Sequence, residues 1–454
     1  MKKARILICI VMLFGLMACS GVQINIKTTT PAGETQAKLP ADTAVPTPVP
    51  SETPTAAPAV TATIPGTATA TSETTSAGVQ TSQIVQVRFF SATEGWGVDS
   101  LGNILNTTQG MLAWKNVSPP GAKPGVGPSE VTAFFLDTTH AWAIYRLGNS
   151  GPVTEVMVWS TTDGGQNWKK ADPIQISDEG LAPVQLFFVD PSHGWFLGQI
   201  YPGMNQVYTS VYATQDGGAT WAKISDSTPG SDKGLPGSYS LPYGPALFTF
   251  LDETHGFAGG QNLYQTTDGG KTWTAAALPD PPDAPTLASP VFYVSPPQFS
   301  TPQDGILTYT LFLADNVFCP PCDVSDKLPA AIYIYTTHDA GKTWNPVRAP
   351  ENTGLAGLVD AQRGWFVGRQ NTGALEASIY TTSDGGATWN QQAQDSPVPV
   401  CARLEYAGDT IYAQSIGTYP IQLDTFRSVC GQPFLYESKD GGKTWNPVLT
   451  SPIP

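Results

Sequence analysis

Seven copies of one short motif govern what this chain can fold into. The motif reads Thr161-Thr162-Asp163-Gly164-Gly165-Gln166-Asn167-Trp168 in its second copy. It returns with Asp216 and Trp221, Asp268 and Trp273, Asp339 and Trp344, Asp384 and Trp389, and Asp440 and Trp445. A worn first copy runs from Thr107 to Trp114, with Gln109 in the Asp position. The terminal tryptophans are 45 to 71 residues apart, most of them a little over 50. A fixed period of this size marks a fold assembled from repeated supersecondary units.

A second motif precedes most copies. Phe134-Phe135-Leu136-Asp137 leads to His140-Ala141-Trp142, and Phe187-Phe188-Val189-Asp190 to His193-Gly194-Trp195. Phe250-Leu251-Asp252 leads to His255-Gly256-Phe257, Leu358-Val359-Asp360 to Gly364-Trp365-Phe366, and Phe89-Phe90 to Gly95-Trp96. The fifth and seventh units keep only traces, at Asp304-Gly305 and from Tyr406 to Tyr412. Runs rich in β-branched and aromatic residues, bounded by Gly, Asp and Pro, divide each unit into four strands. In the second unit these are Val131–Leu136, Ala141–Arg146, Glu155–Thr161 and Asn167–Ala171. No helical periodicity competes. Seven four-stranded units predict an all-β, seven-bladed β-propeller over residues 81–454, with an open solenoid as the alternative.

Each motif carries one carboxylate at a tight turn between the third and fourth strands. That Asp is placed to accept backbone N–H groups of its own turn, and the glycines allow positive φ. The Trp supplies a large apolar face for packing between units. One carboxylate per copy is too few for a calcium site, so no metal or other cofactor is expected. His140, His193 and His255 fall at one equivalent turn, and His338 inside a motif copy. Repetition of this kind points to architecture rather than catalysis.

The start of the chain has a different character. Lys2, Lys3 and Arg5 precede an apolar run from Ile6 to Met17, too short to span a bilayer as a stable helix. The run ends in Leu16-Met17-Ala18-Cys19, which resembles a bacterial lipobox. The resemblance implies removal of residues 1–18 as a signal peptide and lipidation of Cys19, and hence an extracytoplasmic, membrane-anchored chain. Cleavage would move the net charge from −14 to −17. Residues 19–80 are dominated by Thr, Pro, Ala and Ser and read as a disordered stalk. The acidic balance and the lack of a basic stripe argue against a nucleic-acid partner.

The paired motifs resemble the Asp-box, or bacterial neuraminidase, repeat found in sialidases, other glycoside hydrolases, sortilin-type receptors and photosystem II assembly factors. Over residues 83–449 the pattern looks most like propellers of the photosystem II assembly-factor type. That resemblance implies a scaffold that holds a partner, here an unidentified protein or glycan. The enzymatic alternative is a sialidase-like glycoside hydrolase. Sialidases need three arginines on a carboxylate, a Tyr–Glu pair and an Asp acid/base. Their Arg-Ile-Pro signature is absent, since the first strand reads Gln86-Val87-Arg88-Phe89-Phe90. The strongest polar candidates for a central channel are Arg88, Arg403 and Glu405, the last two sharing one strand face.

Beyond Cys9 and Cys19, four cysteines remain. Pairings Cys319–Cys322 and Cys401–Cys430 keep each disulfide within one unit and suit an oxidising compartment. A redox role for the Cys319-Pro320-Pro321-Cys322 segment or a four-thiolate zinc site are the alternatives. The fifth unit is the longest, its extra residues around Pro279–Pro297 and Ala314–Pro329, and the latter loop is expected to contribute to recognition.

Overall fold

The computed structural model describes residues 83–122, 131–145, 155–175, 182–203, 206–227, 238–239, 247–285, 290–313, 331–369, 376–415 and 434–448. The signal segment, Cys19 and the stalk lie outside this set, as do Cys319, Cys322, Cys430 and the loop 314–330.

The chain forms a seven-bladed β-propeller of four-stranded antiparallel blades. In blade 1, strands A to D are Ile84–Phe89, Gly95–Asp99, Ile104–Thr107 and Lys115–Asn116. In blade 7 they are Ala402–Ala407, Thr410–Ser415, Leu435–Ser438 and Asn446–Pro447. Every blade keeps its strands in chain order from A to D, and each is made from one contiguous stretch. Blade 3 adds a short fifth strand, Ser238–Tyr239, beside strand C, and blade 5 adds Gln298–Phe299 beside strand B. Among the described residues the one helical element is a 3-10 turn, Gly110–Leu112.

Blade 2 tests the strand boundaries. Strand A ends at Phe135 and strand B at Tyr145. Strand C is split at Met157 into Glu155–Val156 and Val158–Thr161. Strand D pairs only at Lys169–Lys170, short of the expected Asn167–Ala171, because Asn167 is still held in the turn by Asp163 and the Trp168 indole reaches blade 1. In the fifth unit the segment around Pro279–Pro297 is not simply loop, since Pro290–Val294 forms strand A of blade 5.

The core is divided rather than central. Buried apolar side chains gather in seven clusters, and each joins the facing sides of two neighbouring blades. Alternation along each strand sends successive side chains to opposite sheet faces, so a blade meets both neighbours through apolar surface. Blades 3 and 4 show the pattern well. Trp195, Leu197 and Val211 pack on Phe248, Phe250 and Ala258. A fully buried Trp removes roughly 200 Å² from water, on the order of 5 kcal/mol before entropic costs.

The strand-B aromatic residue is the main joint. Trp142 stacks on Phe188 of the next blade, centroids 3.7 Å apart, and its indole donates to the Gly217 carbonyl at 2.7 Å. Trp96 stacks on Phe135 and donates to Asp137 O. The box Trp is a second joint. Trp168 reaches back to the Val117 carbonyl of blade 1 at 2.6 Å. Trp221, Trp273 and Trp445 instead donate to a glycine carbonyl of their own turn.

Among the described residues, closure exchanges no strand between the first and last blades. Strand A of blade 1 meets blade 7 directly, and a cluster containing Val87, Phe89, Ala407 and Tyr412 fills the seam. The Gln414 side-chain amide spans it, accepting the Val87 N–H and donating to the Val87 carbonyl at 2.8 Å. This closed ring excludes the solenoid. Gln185 makes the same bridge from blade 3 to Phe248 of blade 4.

Candidate functional site

The A–B and C–D turns of the blades gather on one face of the propeller. On that face, the C–D turn that carries the repeated Asp is a hydrogen-bonded cage. Thr214 donates to Asp216 Oδ1 at 2.8 Å and accepts the Gly218 N–H at 2.9 Å. Asp216 also accepts the Thr220 N–H at 2.9 Å and the Thr220 hydroxyl at 2.6 Å. The same pattern holds at Asp163, Asp268, Asp339, Asp384 and Asp440, with Asn167 replacing Thr in the first and Ser438 leading the last. In the worn first copy Gln109 supplies no carboxylate, and Thr107 donates instead to the carbonyls of Gly110 and Ala113.

These bonds also set the acidity of the turns. The hydroxyl and N–H of Thr388 hold Asp384 at about 2, and those of Thr444 hold Asp440 at about 2. Burial would raise the Asp252 carboxyl at the neighbouring turn type, yet bonds from Thr254 and His255 outweigh it and bring it to about 2.

The A–B turn next to each box carries the second motif. Asp137 Oδ1 accepts the N–H groups of Thr139 and His140, and His140 Nδ1 lies 2.9 Å from Oδ2. Asp190 with His193 and Asp252 with His255 repeat this geometry. In blade 6 the ring is replaced by Arg363, whose Nε donates to Asp360 at 2.7 Å. Blade 5 brings His338 to Asp304 from the box itself. All four histidines therefore act as partners of turn carboxylates. The two turns are clipped together, for example Gly217 N–H to Ser192 O and Gly385 N–H to Gln362 O. Blade 7 makes its A–B connection with only Gly408 and Asp409 and lacks the second motif.

The B–C and D–A connections leave from the opposite face. There the chain length between strands varies most, from the two-residue link 400–401 before blade 7 to the segment 314–330 between strands B and C of blade 5. Shallow grooves on the box side, of about 280 and 450 Å³, lie between blades 1 and 2 and between blades 2 and 3. Neither includes Arg88, Arg403 or Glu405.

Those three residues sit where the strands A of blades 1 and 7 meet beside the axis. Arg88 Nη1 is 3.2 Å from Glu405 Oε1 and 3.4 Å from Oε2, and the Phe89 N–H donates to Oε1 at 3.1 Å. The guanidinium also lies over the Phe90 ring at 5.5 Å. Glu405 is buried while Arg88 is nearly half exposed. The expected shared face of Arg403 and Glu405 does not bring them into contact, because Glu405 is drawn across the seam to blade 1. Arg403 is reached by water, yet the surrounding protein desolvates it enough to lower its pKa, Glu405 opposing that effect and Arg88 adding to it. Among the described residues Arg403 has no hydrogen-bond or ion-pair partner.

Among the described residues no three His, Cys, Asp or Glu side chains gather as metal ligands. Cys401 is fully buried between blades 6 and 7 and disulfide-bonded, and its expected partner Cys430 falls outside the described set. Sequence reasoning did not single out Gln414 or Gln185. Each is a lone amide with no motif around it, and only the neighbouring blade gives it a role.

No family model matches this sequence, and no curated protein matches it. Solved structures resemble it in shape. One, described as YCF48 bound to D1 peptide, is 14% identical with a TM-score of 0.45, over 73% of this chain and 90% of the other. An α-L-arabinofuranosidase from Fusarium graminearum is 18% identical with a TM-score of 0.39, over 62% and 86%. A PL25 ulvan lyase is 11% identical with a TM-score of 0.41, over 69% and 81%. The three differ in what they bind or do, so shape alone assigns this chain neither ligand nor chemistry.

Proposed function

We propose that this chain is an extracytoplasmic lipoprotein, anchored through Cys19, whose Asp-box propeller is a non-catalytic binding scaffold for a protein or glycan. The state of Glu405 carries this reading. It is the carboxylate of the axial trio, and its oxygens are already engaged by Arg88 and the Phe89 N–H. Glycoside hydrolysis needs two carboxylates free to act on either side of a sugar bond. The box carboxylates are likewise occupied by their own turns. The lipobox-like Leu16-Met17-Ala18-Cys19 and the Thr/Pro-rich stalk support presentation away from a membrane.

Two measurements test the proposal. Assays of the full chain against fluorogenic glycosides, sialosides included, should give no turnover above a no-protein control. Any turnover abolished by Glu405→Gln would make the glycoside hydrolase alternative correct. Mass spectrometry of the membrane-extracted protein should find acyl chains on Cys19, and an unmodified mature chain would overturn the anchoring.

A further inference from the structure

We infer that the C–D turn of blade 1 is a self-association surface. Two copies of the chain pair about a two-fold axis, Leu112 of each entering the groove between blades 1 and 2 of the other. This turn departs from its six relatives. At the sixth position of the repeated motif they carry Gln166, Ala219, Lys271, Lys342, Ala387 and Lys443, each small or polar and each exposed. The first copy puts Leu112 there, 91% exposed, the exposed large apolar side chain among the described residues. Its neighbour Met111 packs instead into the seam between blades 1 and 7. The turn has no need of the leucine, because the Thr107 hydroxyl closes it on the carbonyls of Gly110 and Ala113.

The same turn flanks a place where a leucine can go. Thr107 and Thr108 before it and Lys115 after it line the groove of about 280 Å³, together with Val117. Knob and groove therefore lie side by side on one face of one blade. A surface of that kind is its own complement under a two-fold rotation, and such an interface closes at two copies. A knob and groove on separate faces would build a filament instead.

Charge favours a second copy as the occupant. Glu94 and Lys115 both line the groove, both are exposed, and neither has a hydrogen-bond or ion-pair partner among the described residues. Asp163, also in the lining, is held by Asn167 of its own turn. A two-fold axis beside Leu112 sets Glu94 of each copy against Lys115 of the other, giving two such pairs. The next groove lacks this set. Between blades 2 and 3, Lys169 stands where Lys115 does, but His140 replaces Glu94 and is bonded to Asp137, and Gln166 replaces the leucine. Repulsion between chains of net charge −14 is screened beyond about 8 Å at physiological salt, so contact pairs decide. A lipid surface fits less well, since Glu94 would be drawn in beside a single leucine.

Sedimentation equilibrium of the full chain in density-matched non-ionic detergent, with micelles in excess of protein, reads the association. Wild type is expected to pass from monomer to dimer across the micromolar range. Leu112→Asp should weaken dimerisation at least tenfold at an unchanged melting temperature. Glu94→Lys and Lys115→Glu should each weaken it several-fold. Combining the two should restore nearly wild-type association, since the exchanged charges again face their opposites across the axis. A wild type that stays monomeric throughout the range would overturn the inference and leave Leu112 to another partner. A dimer indifferent to Leu112→Asp, or a double variant no tighter than the single ones, would overturn it as well.

Discussion

Trp195 lies flat on Phe250 of the following blade, ring centroids 3.6 Å apart and planes 2° from parallel, while its indole N–H donates to the Gly269 carbonyl at 2.8 Å. One side chain thus couples strand B of blade 3 to both strand A and the Asp268 turn of blade 4. Stack and hydrogen bond can be removed separately. Trp195→Ala should cost about 3–5 kcal/mol, and Trp195→Phe only about 1–2 kcal/mol, since a ring still fills the joint. Urea unfolding of the two variants gives the comparison, and equal losses would mean that the stack contributes little.

The seam between the first and last blades is testable through Gln414. Truncation to Ala strands the N–H and carbonyl of Val87 in a buried site, at roughly 2–4 kcal/mol. Gln185→Ala removes an equivalent bridge between blades 3 and 4 and should cost a similar amount. A silent Gln414→Ala would show that the ring is not closed by this amide.

Blade 5 carries a local strain. Its box reads Asp339-Ala340-Gly341, and Ala340 sits at φ 61°, where the equivalent residue of blade 3 is Gly217 at φ 72°. A left-handed non-glycine residue costs roughly 1–2 kcal/mol, partly offset by the extra unfolded-state entropy of glycine. Ala340→Gly should therefore stabilise by about 1 kcal/mol, measured as a higher urea midpoint at constant slope. A lower midpoint would mean the strain is absent.

Acid should weaken the propeller over a defined window. Asp252, Asp384 and Asp440 titrate near 2 when folded, below the roughly 3.9 of an unfolded Asp. Their contribution is complete above about pH 4 and is lost as pH falls toward 2, because the unfolded chain binds protons first. Urea midpoints measured from pH 6 to pH 2 should be level at the upper end and fall at the lower. Asp384→Asn should flatten that fall, and an unchanged acid profile would show that this turn is not part of it.

Much of this was legible from residues that repeat. Asp163, Asp216 and their relatives announced their turns because each needs a Thr or Ser before it, glycines after it and a Thr or Asn four residues on. The histidines were readable as structural because His140, His193 and His255 fall at one equivalent turn; that each partners the turn Asp was not. Arg88 and Glu405 were legible as polar residues on strands A of the first and last blades, but their direct pairing was not. What stayed hidden depends on neighbours distant in the chain. Gln414 reads as an ordinary polar strand residue until Val87 is set against it, 327 positions away. The separation of Arg403 from Glu405 was equally invisible, since strand alternation puts both on one face and only the seam pulls Glu405 aside.

Each wedge of the ring is complete within one uninterrupted stretch, and this bears on how such a molecule can change over evolutionary time. Gene duplication or loss of one unit would insert or remove an entire wedge without cutting any sheet. The same organisation favours circular permutation, because termini relocated between any two wedges would find a junction of the kind that already joins the seventh to the first.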